Sequence, residues 1–155
     1  MARITTNTTG TQPVITIGYE GSDLANAAIA LTIPFIQDLT ITNSTGVYSY
    51  TDFQDVDQRK LSTPANNELS TNIVIDNTAF FGANVLAATA VGQGLMNLSS
   101  NKVSLDFIVK WSGAAGPTTE GTGFLTSIAA KTSPTAPVWV TPLNLAVDGG
   151  MTSTA

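Results

Sequence analysis

The amino-acid sequence predicts a mainly β fold, a β-sandwich or partly closed barrel of seven to eight antiparallel strands with one flanking α-helix. Three observations lead there. Apolar and polar residues alternate with period two along most of the chain. The alternating runs are short, and clusters of Gly, Pro, Asn, Ser and Thr separate them. Only residues 78–98 depart toward helical spacing.

Taken in order, residues 13–20 predict a strand with Ile15, Ile17 and Tyr19 on one face. Residues 28–35 predict a second, with Ile29, Leu31, Ile33 and Phe35 in phase and Pro34 marking an edge or a bend. Residues 38–43 continue with Leu39 and Ile41, a turn follows at 43–46, and 47–51 form a short strand. From 52 to 67 the alternation fails. This stretch gathers Asp52, Asp55, Asp57, Arg59 and Lys60 in a chain where charge is scarce. The expectation is a loop or hairpin arm over about 45–68 that projects from the domain and contacts a neighbouring subunit, because segments of this length without core phasing are usually functional.

Residues 68–77 return to strand, with Leu69, Ile73 and Ile75 in phase. Residues 78–98 predict the one helix, capped by Asn77 or Thr78 and ended by Gly92 and Gly94. The cleanest strand is 103–111, with Val103, Leu105, Phe107, Val109 and Trp111 toward the core; Ser104, Asp106 and Lys110 face out, and Ile108 is the exception. A turn region at 112–120 leads to strands at 123–130 and 137–147. Asp148-Gly149-Gly150 stops the last strand, and 151–155 form a tail. No internal repeat or linker is visible, so residues 1–155 read as a single domain.

Composition narrows the function. Apolar residues are 43% of the chain, enough for a packed core. Charged residues are only 11%, against about 25% in ordinary soluble domains. Freely diffusing proteins rely on surface charge for solubility, so a Thr/Ser/Asn/Ala surface suits burial against other copies of the chain. A Thr-rich, acidic secreted β-protein is the plainer alternative. The net charge of −5 disfavours sequence-specific nucleic-acid binding. With no Cys and no His, thiolate chemistry, the commonest general base and the commonest transition-metal ligand are missing. The first residues lack the apolar run of a signal peptide, and the longest apolar stretch, 25–35, is too short to span a bilayer.

Few patterns suggest chemistry. Asp52, Asp55 and Asp57 have the close carboxylate spacing of hard-cation loops, but the Gly turn and distal Glu of a calcium hand are missing. Mutual neutralisation with Arg59 and Lys60, in a loop or across a subunit contact, explains them as well. A glycosidase would need two carboxyls beside aromatic platforms, and the few aromatics fall mostly on core phases. Gly92-Gln93-Gly94 follows a helix rather than a strand, which fits a helix end and not a nucleotide loop. Trp111 and Trp139 read equally as interface or sheet-packing residues. No catalytic residue, cofactor or metal is expected.

The C-terminal half resembles the tube subunits of long-tailed bacteriophages. A strand opens at Asn67-Glu68-Leu69-Ser70, a helix follows, and the alternating strand Val103-Ser-Leu-Asp-Phe-Ile-Val-Lys-Trp111 comes next. Gly121-Thr-Gly-Phe-Leu-Thr-Ser127 is similar to that family's Gly-x-Gly-aromatic strand, and Asp148-Gly149-Gly150 to its closing Gly. The resemblance covers about 67–150. It implies a β-sandwich with a flanking helix and hexameric rings stacked into a tube. It implies as partners the chain itself, other tail proteins, and DNA sliding through the lumen without sequence-specific binding, with no membrane. It places the protein in the virion tail after synthesis in the host cytoplasm. The 45–68 segment lies where such subunits extend a loop toward the neighbouring ring. A trimeric capsid decoration protein is the second reading. A carbohydrate-binding module, which would expose a coplanar aromatic row, is third, and an enzyme last.

Overall fold

Alternation at period two is realised as strand pairing. The structure is a computed structural model that describes residues 12–51, 57–64, 66–112, 116–131 and 138–155. In chain order it contains β1 (Val14–Tyr19), β2 (Leu31–Ile33), β3 (Thr40–Thr42), β4 (Gly46–Tyr50), β5 (Arg59–Thr63), β6 (Asn67–Val74), α1 (Asn77–Phe81), α2 (Ala90–Ser100), β7 (Leu105–Lys110), β8 (Thr118–Ile128) and β9 (Val140–Thr154). Seven strands form one sheet in the order β2-β1-β7-β8-β9-β6-β3, while β4 and β5 form a separate two-stranded ribbon. Every neighbouring pair is antiparallel.

The sheet curls into a half-barrel, and the chain shows how tightly. β2 lies at one edge of the sheet and β3 at the other. Just before β3, Ile36 bridges Ile73 of β6, the Val74 amide donates to the Phe35 carbonyl, and the Gln37 amide donates to the Asn72 carbonyl. Ile33 on one edge and Ile36 on the other are therefore three residues apart, a span of at most about 11 Å. Phe35 makes the corner at φ 54°. The sequence phase placed Phe35 inward; the corner turns it out to solvent, and β2 is correspondingly only three residues long.

The inward face follows the sequence pattern. Ile15 and Ile17 of β1, Leu105, Phe107 and Val109 of β7, and Leu69 and Ile73 of β6 are buried in one cluster with Leu143 and Leu145 of β9. Phe107 lies over Gly121 on the neighbouring strand, where an added Cβ would stand 3.1 Å from the ring. That contact gives the first glycine of the Gly121-Thr-Gly123 motif a packing reason. Trp111 sits half-buried against the core and donates its indole N–H to Thr119 Oγ1 at 3.0 Å.

The helical segment differs from expectation. Two helices stand where one was predicted. Asp76, rather than Asn77 or Thr78, caps α1, its Oδ1 accepting from the amides of Thr78 and Ala79 at 3.0 and 2.9 Å. Gly82 ends α1, and Thr89 caps α2 through the Gly92 amide. Gly92 and Gly94 thus lie inside α2 and not at its end. Gly94 breaks the helical path at φ 69°, and a Cβ there would fall 2.3 Å from the Gly82 nitrogen. The two helices touch backbone to backbone, and Phe80 of α1 lies in the core with Ala90, Leu95 and Leu98 of α2.

The end of the chain also differs. Asp148-Gly149-Gly150 does not stop β9, and 151–155 is no loose tail. The strand runs on to Thr154, pairing Thr152–Thr154 with Thr118–Glu120. The glycines absorb a register shift between the Glu120 and Thr122 pairs, with Gly149 at φ 85°. A bulge of this kind bends a strand without ending it. β8 correspondingly begins at Thr118, inside the predicted turn region.

Phe107→Ala is expected to lower unfolding stability by about 3–5 kcal/mol through lost transfer and an unfilled cavity. Chemical denaturation with an unchanged midpoint would show that this ring is not a core residue.

Candidate assembly interface

Many of the exposed apolar side chains fall on three surfaces. The first is the β4–β5 arm. Its register pairs Tyr48 with Leu61, Ser49 with Lys60 and Tyr50 with Arg59. Opposed residues share a face, so Tyr48, Tyr50, Leu61 and Arg59 lie on one side, and Val47, Ser49, Lys60 and Ser62 on the other. The Tyr48 and Tyr50 rings stack at 6.2 Å with 20° between planes. Tyr48 is 59% and Leu61 54% exposed, and β5 is exposed along its whole length. Among the described residues the arm pairs with no strand of the half-barrel sheet. An isolated two-stranded ribbon is marginal in water at best, and an exposed apolar face is the kind of feature that marks interaction sites.

Of the charged residues singled out in the sequence, Asp52 and Asp55 lie outside the described residues. Asp57 is exposed just before β5. Arg59 and Lys60 are both on β5 but on opposite faces, so the pair does not act as one basic patch. Among the described residues no group of three or more His, Cys, Asp or Glu could hold a metal ion, and no helix is long and apolar enough to cross a membrane.

The arm has a fixed root. Asn67, 4% exposed at the start of β6, accepts from the Ser44 amide at 3.3 Å and donates through Nδ2 to the Gly149 carbonyl at 3.0 Å. Ser44 Oγ donates to the Asn66 carbonyl at 2.6 Å. The chain entering the arm, the chain leaving it and the β9 bulge thus meet at one amide side chain.

The second surface is the helical hairpin. From Asn77 to Asn101 the sequence contains no charged residue. Gln93 donates through Nε2 to the carbonyls of Val85 and Ala87 at 2.5 and 3.0 Å, and Asn84 Oδ1 accepts from the Leu86 amide at 3.2 Å. These bonds hold the inter-helix loop in one shape, with Leu86 at its tip 93% exposed. The third surface is a cleft of about 440 Å³ at the far end of β6, lined by Val74, Ile75, Asn77, Phe81, Val138 and Trp139. The Ile75 amide, donating to the Trp139 carbonyl at 2.8 Å, holds its two walls together. Trp139 is thus an exposed surface residue, whereas Trp111 packs on the core. The loop was not singled out in the sequence, although the long uncharged run was a visible sign, and of the cleft only Trp139 was, as an interface or sheet-packing residue.

The half-barrel has well-defined relatives among solved structures. A chain from the tail of an empty gene transfer agent particle, refined with helical and C6 symmetry, superposes with a TM-score of 0.63 at 16% identity, covering 91% of this chain and 96% of that one. A chain from the sheath–tube complex of the PVC extracellular contractile injection system gives 0.60 at 15% identity, covering 94% and 89%. The SPP1 tail tube gives 0.56 at 14% identity, covering 91% and 76%. The chain has the tail-tube fold. The tail-tube likeness is carried by structure alone, since no family model and no curated protein sequence matches.

Two outcomes follow for this tail-tube half-barrel. Tyr48→Ser combined with Leu61→Ser is expected to leave stability within about 0.5 kcal/mol, as exposed substitutions do, measured by thermal melting of the unassembled chain. Asn67→Ala is expected to cost about 1 kcal/mol through its lost hydrogen bonds and to speed amide exchange at Ser44, read by hydrogen–deuterium exchange.

Proposed function

We propose that the chain is the repeating subunit of a phage-type tail tube, assembling as hexameric rings that stack around a lumen through which DNA passes. The observation that carries this is the superposition on a C6-symmetric tail over nearly the full length of both chains. On this reading the protein is a structural component of the virion tail with no catalytic role, it meets other tail proteins at the tube ends, and the 45–68 arm contacts the neighbouring ring through residues that include Asp52, Asp55, Asp57, Arg59 and Lys60.

Two further features support it. The helices pack on one face of the sheet, and the opposite face is dominated by small polar groups. That outer face carries Glu68, Asp106, Glu120 and Asp148 against Lys110, as the strand register fixes. Turned toward a lumen, this excess of carboxylates repels phosphates and lets nucleic acid slide without sticking. The exposed apolar surfaces and short edge strands are then covered by neighbours, in keeping with the low charge.

Purified protein is expected to form rings and tubes by negative-stain microscopy. Deleting residues 52–64 and joining the ends with a short Gly/Ser turn is expected to leave a folded half-barrel that no longer makes tubes. A wild-type chain that remains monomeric at high concentration, or forms trimers only, would count against the tube and for a decoration protein.

A further inference from the structure

We propose that the aromatic face of the arm seats in the Val138/Trp139 cleft of the next copy along the tube axis, so that each chain carries both halves of the stacking contact. This rests on the tube reading and adds the receiving surface.

Position is the first argument. The arm leaves the half-barrel at Asn67, the first residue of β6, and the cleft opens at Val74 and Ile75, where β6 ends. Seven residue steps at about 3.3 Å put roughly 23 Å of strand between them. A projecting element at one end of a strand and a recess at the other is a heterologous, head-to-tail pair. Such a pair does not close on itself and extends as a filament.

Chemistry is the second argument. The arm offers Tyr48, Tyr50 and Leu61 on one face, and the cleft offers Phe81, Val138 and Trp139 in a recess of about 440 Å³, large enough for bulky side chains. Aromatic residues with charge depleted around them are the usual make-up of an interface core. Charge also matches at the margin. Arg59 lies on the aromatic face beside Tyr50, and Asp76 lies between the cleft residues Ile75 and Asn77. The α1 cap holds the Asp76 carboxylate in place through Oδ1. Charge pairs of this kind fix register more than they add affinity.

The chain has no cysteine, so introduced thiols report only the designed contact. Leu61→Cys and Val138→Cys both fall on exposed positions and leave the core untouched. Under mild oxidation, tubes of the double variant are expected to give a ladder of disulfide-linked multimers on a non-reducing gel. A mixture of the two single variants is expected to give heterodimers and no longer products. Val138→Asp is expected to raise the critical concentration for tube formation at least tenfold without altering the melting temperature. Tubes that form without the ladder and tolerate Val138→Asp overturn the pairing and leave the tube reading standing. A wild-type chain that never assembles overturns the tube reading and the pairing with it.

Discussion

Two residues, Pro34 and Phe35, join the two edges of the seven-stranded sheet, and most of the structure depends on that short link. Because Ile33 and Ile36 lie on opposite edges, the sheet must bend until those edges nearly meet. The bend creates an inner concavity, which α1 and α2 fill with Phe80, Leu95 and Leu98. It also leaves each edge only three residues long. Short edges expose few unpaired backbone groups, so pairing with another sheet is confined to a small region. An open, flat sheet of the same strands would present long sticky margins.

The helical hairpin is the counterpart of this bend. A single straight helix over the same residues would run on without folding back. Gly82 and Gly94 instead let two short helices fold back on each other at backbone contact, and the returning helix α2 reaches β8, β1 and β2. The exposed Leu86 loop is the outer turn of that fold-back, held by Gln93 and Asn84 rather than by burial. A loop ordered before it meets a partner loses little entropy on contact.

The parts of the fold that were legible in the sequence are those where one local rule decides the outcome. β1, β6 and β7 are paired on both sides with one face buried, so their alternation is clean. The arm stood out because charge interrupts that alternation. The misreadings share a cause. Phe35 has the right phase for the core, but a corner with positive φ overrides it. Gly149 and Gly150 look like a terminator, yet in a strongly twisted sheet they make a bulge. Gly92 and Gly94 look like a helix end, yet they serve the contact with Gly82. In each case the deciding partner is remote in sequence. The cleft was invisible for the same reason: Phe81 and Trp139 meet only after β7 and β8 have been laid down between them.

The placement of Asn67 ties these features to assembly. Its side chain links the arm root at Ser44 to the bulge at Gly149, and so the direction of the arm is set by the curvature of the sheet rather than by the arm's own contacts. An arm with both faces exposed cannot orient itself. Anchored at a buried amide, it leaves the half-barrel in a direction set by the fold, which the proposed axial repeat would require. Tyr48, Tyr50, Leu61 and Arg59 share one face of the arm, so the aromatic rings and the basic residue leave the root in the same direction. A chain with so few charges can place them this sparingly only because the backbone geometry beneath them is already decided.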